Sequence, residues 1–369
     1  MDAATPAQSI LVEGQAMAVD PQQIAASLRQ LWAVRKRGDR TVVRACMANL
    51  VIYAGGAAQA ALASEVVAQL AASHLVRAII LIADEAAETP GMRAWLSAHC
   101  QMPKAGGQRV CCEQISLEAA GEAVERLPSA VLPLLVPDLP VFVWWMGDPP
   151  FGAPVFDQLI AAADRLVVDT TSFQDPTFSL TRLASLVRLN AGRLAVSDLN
   201  WARLSSWQDQ LAQAFDSVET VPYLDRLERL AVRYVRPQDG SGRVDPEKAL
   251  LLTGWLLNRL GWKLPPALAR VGVGHFRGKL RRAGRETTIE IAPHEVALPP
   301  GWEEGSGALL SIELRASLNG REASFRFERQ ATDLDTIATV ITFGENEPLR
   351  STRMRPRRGL AALMADDLA

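Results

Sequence analysis

The chain has 369 residues, of which 49% are hydrophobic and 22% are charged, and its 39 basic and 41 acidic residues leave a formal net charge of −2. This length exceeds what one hydrophobic core usually serves, so we expect two packed units, or one α/β unit with a large appendage. The composition excludes a largely disordered chain. The balanced charge argues against a protein that binds nucleic acid or a membrane surface along its whole length.

The beginning of the chain lacks the basic segment and the continuous apolar segment of a secretory signal peptide. The longest apolar stretches are interrupted by proline or by charge, and none reaches the roughly 20 residues that cross a bilayer. The 4 cysteines include no CxxC pair, which is too sparse for a disulfide framework and predicts reduced thiols. We therefore expect a cytoplasmic protein with no membrane association.

Strand and helix patterns alternate along the first two thirds of the chain. Asp20 and Pro21 predict the start of an amphipathic helix, and a β-branched run at 42–54 stops at Gly55 and Gly56. An alanine-rich helix and an apolar strand at 75–84 then complete a β-α-β unit. Further strands are predicted at 109–117, 141–145, 165–170 and 227–235, and further helices at 92–99, 118–127, 155–162, 180–189, 198–216 and 245–262.

This alternation predicts an α/β fold, with a doubly wound, mostly parallel sheet and helices on both faces. From residue 264 onward the pattern changes to period-two runs, and the turn at Leu318, Asn319 and Gly320 is typical of a hairpin. We predict three regions: an N-terminal helix and tail at 1–39, a Rossmann-like domain at 40–262, and a smaller β-rich domain at 263–369 with a short terminal helix.

Motifs of catalysis and metal binding are missing from the sequence. It contains no P-loop, no GxSxG elbow and no HExxH motif. Cys111 and Cys112 are neighbours in a predicted strand, so their side chains point to opposite faces and cannot readily share one metal ion. We therefore predict no catalytic residues, no metal and no cofactor.

Carboxylates at the ends of predicted parallel strands are the candidates for ligand binding. Asp84 and Asp169 lie at the carboxyl ends of such strands, and Asp148 lies in the loop after the strand at 141–145. Carboxylates in these positions can act as general bases or bind ribose hydroxyls, but they are at least as often helix or loop caps. They favour one alternative function, that of an enzyme or sensor for a sugar phosphate or nucleotide.

Tryptophans and arginines are the candidates for protein binding. Trp144, Trp145, Trp201 and Trp207 lie in predicted core elements, where packing is their main expected role and contact with a partner is the alternative. The segment 263–285 contains basic residues and no acidic one, including Arg281 and Arg282. Such a segment is usually a solvated face, but it can receive an acidic partner surface or a phosphorylated ligand.

The run VLPLLVPDLPVFVWW, which ends at Trp145, resembles a block of the OpcA-type glucose-6-phosphate dehydrogenase assembly proteins. Other blocks that resemble this family, in the same order, are NLVIYA, LVRAIILIAD, EQISL, ADRLVVDT, DLNWARLSSWQDQLAQAFD and LLTGWLLNRLGW. The resemblance covers about residues 40–262, and the β-rich remainder only loosely.

This resemblance implies a non-catalytic accessory protein of the oxidative pentose phosphate pathway. Such a protein binds glucose-6-phosphate dehydrogenase and promotes its assembly or its allosteric activation, with no nucleic acid involved. The resemblance leaves self-association and the docking surface open. The candidate partner-binding residues are Asp138, Pro140, Trp144, Trp145, Trp201, Trp207, Arg281 and Arg282.

Overall fold

The structure is a computed structural model of the chain. It has two compact units, one formed by Met1–Leu199 with Gly359–Ala369 and the other by Asn200–Arg358. The residues that it describes are 12–13, 17–18, 23–28, 42–44, 46–71, 73–101, 109–238, 244–262, 268–282, 285–297, 305–330, 333–346, 348–354 and 358–368. In these residues no helix is long and apolar enough to cross a membrane.

The elements of the first unit alternate between strands and helices. They are β1 (Val12–Glu13), β2 (Met17–Ala18), α1 (23–28), β3 (Val42–Arg44), β4 (Ala48–Ala54), α2 (Ala57–Leu70), β5 (Val76–Asp84), β6 (Gly91–Gln101), β7 (Arg109–Ala120), α3 (Leu127–Val131), β8 (Val141–Trp145), α4 (Pro154–Ala161), β9 (Arg165–Val168), α5 (Pro176–Leu189) and β10 (Ala195–Asp198). Short 3₁₀ turns occupy Gly121–Arg126, Leu132–Leu134 and Thr170–Ser172.

The second unit is richer in strands, and the last helix of the chain returns to the first unit. Its elements are α6 (Leu199–Ala202), α7 (Ser205–Gln213), α8 (Val221–Leu224), β11 (Leu227–Pro237), α9 (Glu247–Arg259), β12 (Ala269–Gly272), β13 (His275–Arg282), β14 (Arg285–Val296), β15 (Leu309–Leu318), β16 (Arg321–Gln330), β17 (Asp333–Phe343) and β18 (Leu349–Met354), followed by α10 (Leu360–Leu368).

The first sheet confirms the predicted doubly wound architecture. Its central strands lie in the order β7-β5-β4-β8-β9-β10, and every neighbouring pair in this series is parallel. All seven residues of β4 are buried, as expected for a parallel strand covered on both faces. The chain winds outward in one direction from β4 through β5 and in the other through β8. The β4/β8 boundary is therefore the topological switch point of this sheet.

The segment predicted as a helix at 92–99 is instead the strand β6, so that prediction was wrong. β6 pairs antiparallel with β7 along its whole length, from Gly91 opposite Ala120 to Gln101 opposite Val110. Alanine and leucine favour helix locally, but the continuous ladder with β7 outweighs that weak preference. The expectation of reduced thiols was also wrong for Cys111, which is disulfide-bonded and lies opposite Cys100 in this ladder. Cys46 and Cys112 are free thiols.

Smaller differences concern element ends. In the segment 118–127, which was predicted as a helix, β7 continues to Ala120 and a 3₁₀ turn at Gly121–Arg126 precedes α3. The predicted helix at 198–216 is divided into α6 and α7. The predicted opening helix is described only at 23–28, and the rest of the segment 1–39 lies almost entirely outside the described residues.

The boundary between the two units lies at Leu199, whereas the sequence predicted it at residue 262. The physical reason is strand pairing. β11 lies in the middle of the second sheet, whose order is β12-β13-β14-β11-β15-β16-β17-β18, and it pairs parallel with β14 and antiparallel with β15. A strand that follows helices in a Rossmann-like pattern therefore belongs to the second sheet, and α7, α8 and α9 come with it as its helical cover.

The two faces of the second sheet differ sharply in composition. Directly opposed residues on neighbouring strands share a face. One such row contains Gly278, Ile289, Leu230, Leu314, Phe325 and Ile341, and packs against α7, α8 and α9. The adjacent row, which faces the other way, contains Arg277, Glu290, Ala231, Glu313, Arg326, Val340 and Arg350. This alternation predicts one core face and one solvated face.

Candidate functional site

The loop before β8, which contains the candidates Asp138 and Pro140, is held by the buried side chain of Asn49. The Asn49 amide nitrogen donates to the carbonyl oxygens of Val136, at 3.0 Å, and Leu139, at 3.4 Å, and its oxygen accepts from the Val136 N–H at 2.8 Å. Asp138 has φ 62° and is exposed, as is Pro140. Sequence reasoning did not single out Asn49, because an amide inside an apolar strand has no recognised motif.

The strand β8 is a core element. All five of its residues are buried, including Trp144 and Trp145. The Trp145 ring stacks on Tyr53, with ring centroids 3.8 Å apart, and meets Phe156 edge-on at 5.1 Å. The Trp145 indole N–H donates to the Asp148 carbonyl oxygen at 3.2 Å. Burial leaves both tryptophans no surface for a partner, so their nomination as partner contacts was wrong.

The two tryptophans at the start of the second unit have different environments. Trp207 is buried in the second core, and the Arg329 guanidinium lies over its ring at 5.9 Å from the centroid. It therefore offers no contact surface either. Trp201 is 38% exposed, so among the four candidate tryptophans it is the one with surface available to a partner.

The solvated face of the second sheet contains many charged side chains that could contact a partner. We call it the arginine face and define it by three rows of directly opposed residues. Basic side chains outnumber carboxylates in these rows. The rows are Arg277, Glu290, Ala231, Glu313, Arg326, Val340 and Arg350; Lys279, Thr288, Arg229, Arg315, Ser324 and Thr342; and Ala292, Arg233, Ser311, Glu328, Ala338 and Thr352.

Glu290 is the buried anion at the centre of one half of this face. Its carboxylate accepts from Arg229 at 2.9 Å, Arg233 at 3.0 Å and Arg277 at 2.8 Å, and it lies 3.1 Å from the His275 ring nitrogen. Burial alone raises the pKa of Glu290, but the hydrogen bonds from Arg277 and Arg233 outweigh burial and hold the pKa at about 2. One carboxylate therefore fixes three guanidinium groups, while those groups stay partly exposed.

Weaker ion pairs surround this cluster. Glu286 lies 2.7 Å from the Lys279 ammonium and 3.6 Å from Arg281, whose side chain is 82% exposed. Glu313 pairs with Arg315 at 2.8 Å and lies 3.9 Å from Arg326. Arg282 lies in β13, but its side chain is outside the described part of the chain. Exposed pairs of this kind contribute only about 0–1 kcal/mol each, so the arginines remain available to a partner's carboxylates.

The first unit contains a cavity of about 670 Å³ at the carboxyl ends of β4, β5 and β7. The candidate Asp84 lines it. Tyr53 donates to Glu85 at 3.2 Å, and burial together with the Glu85 carboxylate raises the Tyr53 pKa, so the phenol stays protonated. The lining residues are Tyr53, Gly55, Gly56, Ala57, Ala60, Ala61, Ser64, Ile82, Ala83, Asp84, Glu85, Ala86, Trp95, Ser116 and Glu118.

The other two ligand candidates do not line this cavity, and both stabilise loops. The Asp148 carboxylate accepts from the Ser179 hydroxyl at 2.7 Å and from the Gln174 N–H. The Asp169 carboxylate accepts from the hydroxyl of Thr171 at 2.6 Å and from its N–H at 3.3 Å. These contacts are those of turn and helix caps, which was the alternative that the sequence left open.

Comparison with known proteins identifies the family of the chain. Residues 67–185 match the glucose-6-phosphate dehydrogenase subunit N-terminal domain, and residues 194–368 match the corresponding C-terminal domain. The chain belongs to the OpcA family. The junction between the two matches falls near Leu199, where the structure also divides, and the matches extend into the β-rich region that the sequence resemblance covered only loosely.

Curated relatives from cyanobacteria support this assignment. The OxPP cycle protein OpcA of Synechocystis is 34% identical over 194 residues, which cover 52% of this chain and 38% of the relative. The OpcA protein of Nostoc punctiforme is 36% identical over 177 residues, which cover 48% of this chain and 36% of the relative. The aligned region is thus well under half of either relative. The names describe proteins of the oxidative pentose phosphate cycle.

Solved structures resemble this OpcA family chain only distantly. An NAD-binding oxidoreductase from Klebsiella pneumoniae has 10% identity and a TM-score of 0.43, with 88% of each chain covered. A Gal80p mutant from Saccharomyces cerevisiae has 10% identity and a TM-score of 0.44, with 86% of this chain and 83% of that chain covered. These values carry no inference about ligand or activity. In the described residues, no group of three or more His, Cys, Asp or Glu side chains could hold a metal ion.

Proposed function

We propose that this OpcA family protein is a non-catalytic accessory subunit that binds glucose-6-phosphate dehydrogenase in the cytoplasm and raises its activity. The match of both halves of the chain to the domains of a glucose-6-phosphate dehydrogenase subunit carries this proposal. An activator must bind the active state of its target better than the inactive state. A tenfold effect needs only about 1.4 kcal/mol of differential affinity.

The docking surface in this proposal is the arginine face. Its exposed guanidinium groups suit an acidic partner surface, because arginine forms two parallel hydrogen bonds with a carboxylate. Glu290 supports this role by holding three arginines in place, so less side-chain freedom is lost on binding. The partly exposed Trp201 and the loop with Asp138 and Pro140 remain secondary candidates.

The first experiment tests binding itself. The purified chain is mixed with the dehydrogenase of the same organism, and co-elution and dehydrogenase kinetics are measured over a range of salt concentrations. We expect a complex that weakens as salt rises, together with a lower KM or a higher kcat. If neither co-elution nor a kinetic change appears at any salt concentration, the proposed function is wrong.

The second experiment locates the surface. Arg326 and Arg350 lie in one row of the arginine face, and neither belongs to the Glu290 cluster. The double variant Arg326→Glu with Arg350→Glu should weaken the complex at least tenfold at low salt. The matched control, Arg188→Glu, reverses an exposed arginine on α5 and should leave affinity unchanged. Equal affinity of both variants would place the docking surface elsewhere while leaving the binding function intact.

A further inference from the structure

The cavity of the first unit lies where a doubly wound sheet usually receives a ligand. Its lining comes from the carboxyl ends of β4, β5 and β7 and from the first turns of α2. Asp84, Ile82 and Glu118 point to the face of the sheet that α2 covers, because Ile82 lies opposite Glu118 and Asp84 lies two residues further along β5. A volume of about 670 Å³ is within the range of small-molecule sites.

The three carboxylates of the cavity differ in their partners. Glu85 accepts from the Tyr53 hydroxyl, and Glu118 pairs with Arg93 at 2.7 Å. Among the described residues, no hydrogen bond or ion pair engages the Asp84 carboxylate, which is exposed at the last position of β5. A carboxylate at the end of the second strand of a βαβ unit is suited to accept both hydroxyls of a ribose.

The other walls of the cavity suit a flat ring and a close backbone approach. The half-buried Trp95 lies opposite Ser116 in the β6/β7 ladder and offers a ring face. On the α2 side the described wall consists of the small residues Ala57, Ala60, Ala61 and Ser64, which leave room for a ligand.

The turn between β4 and α2 adds a place for an anion. Gly56 has φ 138°, which a residue with a Cβ rarely adopts, and a Cβ there would meet open space. The Gly55 N–H donates to the Gln59 side-chain oxygen at 2.7 Å, but Gly56 makes no side-chain cap hydrogen bond and the first turn of α2 contains no acidic residue. The N–H groups of this first turn are therefore the ones that an anion can approach.

We propose that this cavity binds a ribonucleotide with free 2′- and 3′-hydroxyls. Asp84 accepts from the ribose hydroxyls, Trp95 stacks on the base, and the 5′-phosphate lies at the N-terminus of α2, beside Gly56. Among the residues that the structure describes, the lining contains no lysine or arginine. A 2′-phosphate would therefore meet Asp84 with no cation to offset the repulsion, so the cavity selects against 2′-phosphorylated nucleotides.

The cavity accommodates one nucleotide and not the second half of a dinucleotide. None of the described residues that line it comes from the loop after β8, on the other side of the switch point. In that loop Asp148 already caps the segment before α5 through Gln174 and Ser179. The described lining residues of this cavity belong to the first unit, whereas the arginine face belongs to the second unit.

Calorimetric titration of the isolated full chain tests the proposal, so the result does not depend on binding to the dehydrogenase. The probes are 5′-AMP, 2′-deoxy-5′-AMP, adenosine 2′,5′-bisphosphate and ribose 5-phosphate. We expect 5′-AMP to bind with a Kd below 1 mM and the other three to bind at least tenfold more weakly. No binding of 5′-AMP at 5 mM, or equal binding of the 2′-phosphorylated probe, would overturn the proposal.

The variant Asp84→Asn provides the residue-level test. Because Asp84 is exposed, this variant should fold, which circular dichroism and thermal unfolding will check. It should bind 5′-AMP at least tenfold more weakly than the natural chain. The matched control is Glu88→Gln, which neutralises an exposed carboxylate in the turn after β5 that does not line the cavity. Unchanged binding by a folded Asp84→Asn variant would rule out the proposed ribose contact and with it the proposal.

Discussion

The ring of Trp145 lies flat on the ring of Tyr53, with 3.8 Å between centroids and 8° between planes. Trp145 is the last residue of the strand β8, and Tyr53 lies opposite it in the neighbouring strand β4. Tyr53 also lines the cavity and donates to Glu85 there. The most recognisable segment of the sequence thus supports the wall of the cavity from within the core.

Removal of the Trp145 ring should therefore destabilise the first unit severely. We expect Trp145→Ala to lower the free energy of unfolding by about 3–5 kcal/mol, because it leaves a large void and removes the stack with Tyr53. Urea unfolding followed by circular dichroism will measure the loss. The control is Trp201→Ala, at a site that is 38% exposed, with an expected loss below about 1 kcal/mol. Similar losses for the two variants would contradict the assigned core role.

Asn49 should be nearly as important despite its small size. Asn49→Ala removes three hydrogen bonds to the loop and leaves the Val136 N–H without its acceptor. We expect a loss of roughly 2–3 kcal/mol and a faster exchange of the Val136 amide hydrogen. Hydrogen exchange with mass spectrometry will detect the local opening. Asn346→Ala, at an exposed turn, serves as the neutral control. Unchanged exchange at Val136 would mean that Asn49 does not hold the loop.

Glu290 should make the second unit sensitive to acid. Its pKa is about 2 in the folded chain against an ordinary value of 4.5, so its contribution to stability is complete above about pH 4.5 and is lost as the pH falls toward 2. The shift alone would give about 3–4 kcal/mol of folding stability at neutral pH, and solvent screening at the partly exposed arginines lowers this contribution to about 2–3 kcal/mol. Urea unfolding at pH 3 to 6 should show this dependence in the natural chain and a flatter one in Glu290→Gln. The exposed site variant Glu322→Gln should retain the natural slope.

His99 should give the first unit a second dependence in a different pH range. Burial lowers the pKa of His99 from 6.5, although a hydrogen bond with the Gln114 side chain at 3.0 Å opposes the shift. The unfolded chain therefore takes up a proton first, and stability falls as the pH drops below about 6.5. We expect His99→Gln to show a shallower fall between pH 6.5 and 5. His294→Gln, at an exposed position, should behave like the natural chain.

The sequence predicted elements well where local pattern and tertiary role agree. The segments that form β4, β5 and β8 are short, mostly apolar runs. Such runs are typical of strands in a parallel sheet that is covered on both faces, so their composition predicted their parallel pairing. The strand β6 could not be predicted in this way, because alanine and leucine in GMRAWLSAHC favour a helix and only pairing with β7 selects the strand. The unit boundary was missed for a similar reason, since the partners of β11 are far away in sequence.

The candidate site residues also differ in whether local sequence pattern or tertiary contacts decide their role. Asp84 was identified because the end of a parallel strand is a recognisable position, and the structure places it in the cavity. Asp148 and Asp169 occupy equally recognisable positions but cap loops, and only their contacts decide this. The arginine face was partly visible as the basic segment 263–285. The role of Glu290 was not, because its three arginine partners come from two other strands.

The last helix of the chain belongs to the first unit. Leu363 and Met364 of α10 are buried, α10 packs on α2, and Asp367 lies 3.5 Å from Arg165. During synthesis, the first unit emerges from the ribosome before the second but lacks α10 until residues 200–358 have been translated. Until α10 has been made, the apolar surface of the first unit that α10 covers stays exposed. Burial of that surface therefore follows the synthesis of the second unit, although the surface belongs to the first.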